Sequence, residues 1–210
     1  MFKDRIDAAD QLAVKLAPYG ALQPLVVGIP RGAVPMARRI AAALGGEFDV
    51  VLVRKLGAPG NPEYAIGAVA EGGWVYLSPE AQWAGGTPDY IAQEKARQVA
   101  VMVERKRQYA AYRHPAEVAG RTVIVVDDGL ATGATMIAAL HALRAAKPKK
   151  LVCAVPVAPA DSIERVKPWC DEVVCLLVPP GFQAVAQFYQ HFGQVSDAEV
   201  LECLKTPQGG

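Results

Sequence analysis

Two adjacent carboxylates, Asp127 and Asp128, stand between four β-branched residues and a run of small and hydroxyl-bearing ones, in Val123-Ile-Val-Val-Asp-Asp-Gly-Leu-Ala-Thr-Gly-Ala-Thr-Met136. A loop of small residues that opens a helix turns several backbone N–H groups toward one point, with the positive end of the helix dipole behind them. Ala131, Thr132, Gly133, Ala134 and Thr135 meet that description, and the two threonines add hydroxyl donors. The result is an anion cradle suited to a terminal phosphate. The acids suit a different partner, because a carboxylate accepts hydrogen bonds from sugar hydroxyls, each worth about 1.5–3 kcal/mol when one partner is charged. Phosphate donors beside hydroxyl acceptors describe a ribose 5-phosphate site. Taken singly, an Asp pair or a Thr-Gly step is an ordinary helix cap on a surface turn. The ordered string is what points to a ligand.

Such a loop needs a strand to deliver it and a helix to follow it, and the chain alternates the two almost throughout. Ile6, Ala9, Leu12, Ala13 and Leu16 repeat at helical spacing and stop at Pro18-Tyr-Gly20. Strands are predicted at 25–29, 49–54, 122–126, 151–155 and 173–178, with a hairpin about Gly72-Gly73 and a Gly/Pro-rich loop at 57–62. Helices are predicted from Val34 to Gly45, over 89–113, 134–146 and 161–166, and as two short C-terminal turns. Apolar strands without strict alternation, separated by helices, imply an α/β fold with a Rossmann-like parallel sheet flanked by helices. Ligands of such sheets sit at the carboxyl ends of the strands. The loops after Ile29, Arg54, Val126 and Val155 are therefore the ones to inspect.

Composition narrows the function classes. A formal net charge of +1 gives no overall field for nucleic acid or an anionic membrane, so an anionic ligand must be held by local groups. Arg97, Arg105, Lys106, Arg107 and Arg113 are interleaved with Glu94 and Glu104, which reads as a solvated helix face rather than an RNA-binding one. No run approaches the ~18 apolar residues of a membrane span, and the amino terminus lacks a signal-peptide core, so a cytoplasmic location is expected. Cys153, Cys170, Cys175 and Cys203 form no Cys-x-x-Cys pair and the histidines lie far apart, which suits free thiols better than zinc.

The string at 123–136 closely resembles the phosphoribosyl pyrophosphate signature of the type I phosphoribosyltransferases, an apolar strand, two acids and a Thr-Gly phosphate loop. Gly28-Ile-Pro-Arg-Gly-Ala33 resembles that family's pyrophosphate loop, which implies a cis peptide between Pro30 and Arg31; alone, Pro30-Arg-Gly32 is an ordinary turn. Arg54-Lys55 falls where the family has its second basic group, with a solvated strand-end pair as the lesser reading. The resemblance covers most of the chain. It implies one phosphoribosyltransferase domain over 1–210, with a helical insertion at about 79–115 and a C-terminal hood at about 178–210.

That resemblance implies transfer of ribose 5-phosphate from phosphoribosyl pyrophosphate to a nitrogenous acceptor such as a nucleobase, with release of pyrophosphate, by a magnesium-dependent homodimer. Arg31, Gly32, Arg54 and Lys55 would hold the pyrophosphate, Ala131 to Thr135 the 5-phosphate, and Asp127 and Asp128 the ribose hydroxyls and Mg²⁺ through water. The implied catalytic residues are Asp127, Asp128, Arg31 and Lys55. Ala131 stands where 6-oxopurine enzymes carry an aspartate, and residues 155–160 offer no base-reading lysine, which disfavours oxopurine transfer. Phe182, in a segment similar to the one supplying those enzymes' stacking aromatic, either stacks on a planar acceptor or lies under a loop as core. A regulator that binds phosphoribosyl pyrophosphate without turnover is the alternative. A phosphoribosyl pyrophosphate synthetase would need two such domains and an ATP loop, and no Walker-type loop is present.

Overall fold

The computed structural model describes residues 1–113 and 115–205. Its centre is a five-stranded, all-parallel sheet in the order β2-β1-β6-β7-β8. The strands are β1 (Leu25–Gly28), β2 (Glu47–Val50), β6 (Thr122–Val126), β7 (Lys150–Val157) and β8 (Glu172–Leu177). Every residue of β1 and β6 is buried, as strands covered on both faces must be. Side chains alternate between the faces. Val26, Ile124, Val126, Val152 and Ala154 pack toward α1 (Arg5–Leu16) and α2 (Val34–Leu44), in the cluster that holds Leu12, Leu16 and Ile40. Val27, Val123, Val125, Leu151 and Cys153 pack on the opposite face with Met136, Ile137 and Leu140 of α4 (Ala134–Ala145). α5 (Ala160–Val166) links β7 to β8, and α6 (Asp197–Lys205) docks against α2.

The strand predicted over 49–54 is two strands. β2 ends at Val50, and the chain bends at Val51-Leu52 into β3 (Val53–Ala58), which belongs to a separate antiparallel sheet, β3-β4-β5. The backbone is satisfied through the bend: Val51 N–H donates to Gly28 O at 3.1 Å, and Leu52 O accepts from Glu71 N–H at 3.1 Å. The loop predicted at 57–62 is likewise a hairpin between β3 and β4 (Asn61–Ala70), turned at Pro59-Gly60 with Gly60 at φ +73°. Pro62 has no N–H to offer the ladder, and the register shifts around Leu56, Gly57 and Ala58. A Cβ on Gly57 would sit 2.6 Å from Pro62 O, so only glycine admits this approach. The predicted hairpin about Gly72-Gly73 is present, with β5 (Val75–Leu77) on β4.

The long helix predicted over 89–113 forms as α3 (Pro88–Ala110), capped by Thr87 Oγ1, which accepts from Tyr90 N–H. Its basic residues do not form one solvated face. Arg97 and Arg107 are exposed, but the Arg105 and Arg113 side chains are only 13% and 19% exposed. Arg113, just beyond the helix, forks onto Asp49 of β2, with Nε to Oδ1 at 2.7 Å and Nη2 to Oδ2 at 3.1 Å. This buried pair pins the end of α3 to the sheet edge. Among the described residues, no helix is long and apolar enough to cross a membrane.

Candidate functional site

β6 carries Asp127 and Asp128 out of the sheet at its carboxyl end. Asp127 Oδ1 accepts from Asp128 N–H at 2.9 Å. Asp128 Oδ2 accepts from Arg5 Nε at 2.8 Å, and Arg5 Nη2 is ion-paired with the same oxygen at 2.8 Å. The Arg5 guanidinium also donates to Gly193 O at 2.6 Å and lies 3.9 Å over the Phe192 ring. Tyr189 Oη donates to the Asp128 carbonyl at 2.6 Å. Burial pushes the Asp127 carboxyl well above the usual carboxylate range, with the neighbouring Asp128 charge adding to it. Burial raises Asp128 as well, and Arg5 opposes that rise. The acid pair is therefore held at a cost in a half-buried polar corner, as functional sites often are.

The loop after β1 meets this corner directly. A Cβ on Gly32 would fall 2.3 Å from Asp128 Oδ2 and 3.1 Å from Arg5 Nε, so glycine is required by close approach. The Pro30–Arg31 peptide is cis, as the family resemblance implied. Arg31 Nη1 reaches Asp197 Oδ2 of α6 at 3.3 Å. Arg54 is half-buried and gives its Nε–H to Gln98 Oε1 of α3 at 2.9 Å. Burial, then the nearby positive charges of Arg105 and Arg31, weaken its hold on its proton. Arg31 and Arg54 are thus brought together. Lys55 turns to the hairpin instead, with Nζ 2.8 Å from Glu63 Oε2.

On the far side of Asp128, residues 129–133 lead into α4. Gly133 adopts φ +81° and has no side chain to cap the helix, so of the first-turn N–H groups only that of Ala134 has a side-chain acceptor, the Thr132 hydroxyl, among the described residues. Thr132 Oγ1 lies 3.4 Å from Ala134 N. Ser162 Oγ donates to Ala131 O at 2.5 Å and fixes the loop from α5. Thr132 and Thr135 are half-buried at its rim. Across the site, Val185 lies where a Cβ on Gly129 would be, at 2.7 Å, so the 178–190 segment folds over the loop. Phe182 in that segment stacks on Phe188, with centroids 5.5 Å apart and planes at 15°.

Sequence reasoning missed Arg5, Ser162, Tyr189 and Asp197. Arg5 lies 123 residues from Asp128 and Tyr189 lies 61 away, and no local pattern marks either pairing. The one signal was arithmetical, because two adjacent buried acids require a nearby cation.

The topology and these strand ends define an α/β protein whose polar cluster is assembled from the loops after β1 and β6. The chain belongs to the phosphoribosyl transferase domain family, whose model matches residues 2–190. Proteins of two Mycobacterium tuberculosis strains, both carrying the provisional name of phosphoribosyl transferase, are 41% identical over 206 residues, or 97% of this chain. The chain spans about half the length of these curated relatives, 46% in each case. The crystal structure of TT1426 from Thermus thermophilus is 48% identical, with a TM-score of 0.80 over 98% of both chains.

Proposed function

We propose that the chain transfers ribose 5-phosphate from phosphoribosyl pyrophosphate to a nitrogenous acceptor, with release of pyrophosphate. The observation that carries this reading is the contact of Gly32 with Asp128, because it joins the loop after β1 to the acid pair and the α4 phosphate cradle in one site. The N–H groups of Gly133 to Thr135 and the Thr132 and Thr135 hydroxyls hold the 5-phosphate. Asp127 and Asp128 accept from the ribose hydroxyls, and Arg31, Arg54 and the Gly32 amide face the pyrophosphate, with Lys55 reaching it once released from Glu63. In the reaction the C1–O bond breaks, its electron pair leaves with pyrophosphate, and an acceptor nitrogen bonds to C1 while its proton goes to solvent. The transition state resembles an oxocarbenium ion, so fixed donors act most strongly on the departing oxygen. Alignment of donor and acceptor supplies much of the acceleration.

Mg²⁺ binds through one or two carboxylates together with substrate phosphates, and a pair of adjacent acids fits that donor set. Asp127 and Asp128 would hold it through water, and it would supply neutralising charge to the pyrophosphate. Phe182, half-buried and stacked on Phe188, is the ring that would stack on a planar acceptor. A second reading, a regulator that binds phosphoribosyl pyrophosphate without turnover, is favoured by one feature: Arg5 occupies the Asp128 carboxylate that a ribose hydroxyl would use. Assaying pyrophosphate release with Mg²⁺ against a panel of nucleobases and amines separates the two. Acceptor-dependent release supports transfer, and binding without release on any acceptor supports the regulator.

A further inference from the structure

Arg105 projects from α3 toward the same point as Arg31 and Arg54. Its Nη2 lies 3.4 Å from Asp197 Oδ1, while Arg31 Nη1 lies 3.3 Å from Asp197 Oδ2. Both contacts are long for charge-assisted pairs, whose usual separation is about 2.7–2.9 Å. One carboxylate is stretched between two guanidiniums, and the third, Arg54, is near enough that their charges weaken its hold on its proton. Asp197 Oδ1 is buried and makes no hydrogen bond among the described residues. The Tyr109 hydroxyl is also buried and finds no hydrogen-bond partner among the described residues, and it senses Arg105, Asp197 and Arg31. Tyr109 is only 1% exposed, so an idle hydroxyl there is costly. Three cations, one acid and an unused donor make a surplus of positive charge and of donors. Glu94 offsets it only in part: its charge favours protonated Arg54, but its carboxylate bonds Arg97 and Gln98 and none of the three arginines.

A larger anion with more oxygens would satisfy this cluster better than one carboxylate does. We propose that Arg105 joins Arg31 and Arg54 in a pyrophosphate-binding cluster, and that Asp197 of α6 occupies it in the ligand-free chain as an internal anion that the ligand displaces. The inference rests on the reading of Arg31 as a pyrophosphate contact, and adds to it a residue of α3 and a competitor from the C-terminal helix. Displacement does not require α6 to leave. The helix is anchored by buried Val200, by Arg38 Nη1 on Cys203 O at 3.0 Å, and by a reciprocal cap between Ser196 and Glu199. The Asp197 side chain is 45% exposed, so a change of rotamer carries its carboxylate into solvent. α6 therefore acts as an acidic latch: anions too weakly charged to displace Asp197 are kept out, and a pyrophosphate group opens it.

The test is calorimetric titration of the full chain with inorganic pyrophosphate and, separately, with ribose 5-phosphate. Asp197→Asn is expected to tighten pyrophosphate binding on the order of tenfold, and Arg105→Gln to weaken it on the order of tenfold or more, each by one charge-assisted contact. Neither change should alter ribose 5-phosphate binding. A gain of affinity in Asp197→Asn cannot come from misfolding, which guards against failure of Arg105→Gln to fold. Unchanged or weaker pyrophosphate binding in Asp197→Asn overturns the latch, and unchanged binding in Arg105→Gln overturns the role of Arg105. If every protein binds ribose 5-phosphate and none binds pyrophosphate, this inference fails and the 5-phosphate site stands. If none binds either ligand, the proposed function fails with it.

Discussion

Replacing Arg5 with methionine removes the cation from Asp128 while keeping most of the aliphatic bulk. The wild-type guanidinium makes two 2.8 Å contacts to Asp128 Oδ2, a 2.6 Å bond to Gly193 O and a 3.9 Å stack on Phe192. Side-chain exposures of 13% and 18% place the ion pair largely out of water. Breaking a buried pair by removing one partner costs about 3–5 kcal/mol. Residual exposure here reduces the expected cost at neutral pH to about 2–4 kcal/mol. For a chain of this size that lowers Tm by roughly 5–15 °C. The pH dependence distinguishes the electrostatic cause from simple loss of packing. The folded-state pKa of Asp128 is already raised by burial, against the pull of Arg5, so losing Arg5 raises it further. A carboxyl with a raised folded pKa favours the folded state below its unfolded pKa, and that advantage is lost as pH rises through the folded value. The deficit of Arg5→Met should therefore be small at acidic pH, where Asp128 is protonated, and grow toward neutrality. Urea unfolding at several pH values between about 5 and 8, with Arg5→Met/Asp128→Asn closing the cycle, measures this. A deficit constant with pH, or one the second substitution fails to relieve, would refute the reasoning.

Asp127→Asn should stabilise the fold at neutral pH while weakening sugar binding. Burial raises the Asp127 pKa, so its ionised form opposes folding as pH rises, and thermal melts should show the gain shrinking as pH falls through the carboxylate range. Gly32→Ala places a Cβ 2.3 Å from an Asp128 oxygen that Arg5 holds in place, so a loss of about 1–3 kcal/mol is expected by chemical denaturation, with loss of turnover. Ser162→Ala removes the donor on Ala131 O, costing about 1–2 kcal/mol and loosening the 131–135 loop; on the proposed function ribose 5-phosphate affinity should fall, and an unchanged affinity would mean the loop holds itself.

The parallel sheet was legible because β1 and β6 are nearly uninterrupted apolar runs, and the strand–loop–helix passage at 122–145 because its residue types succeed one another along the chain. The antiparallel sheet was less legible. Gly57, Pro59, Gly60 and Pro62 crowd one short stretch with turn-forming residues, yet the hairpin absorbs them through a shifted register. α3 was placed correctly, but its buried side was misjudged, because Glu94, Gln98, Met102, Arg105 and Tyr109 recur at three- and four-residue spacing and only two of them are apolar. A hydrophobic pattern cannot show such a stripe. Ion pairs across the fold are invisible for the same reason, since Arg31 and Asp197 are 166 residues apart.

The central claim is that the loops after β1 and β6 form one site for phosphoribosyl pyrophosphate. The most direct test is isothermal titration with that compound, with and without Mg²⁺, on the wild type and Asp128→Ala. The account predicts saturable binding that Mg²⁺ strengthens and that Asp128→Ala weakens by tenfold or more, in line with loss of charge-assisted hydrogen bonds of about 1.5–3 kcal/mol each. No binding by the wild type, or equal binding by the variant, would contradict it.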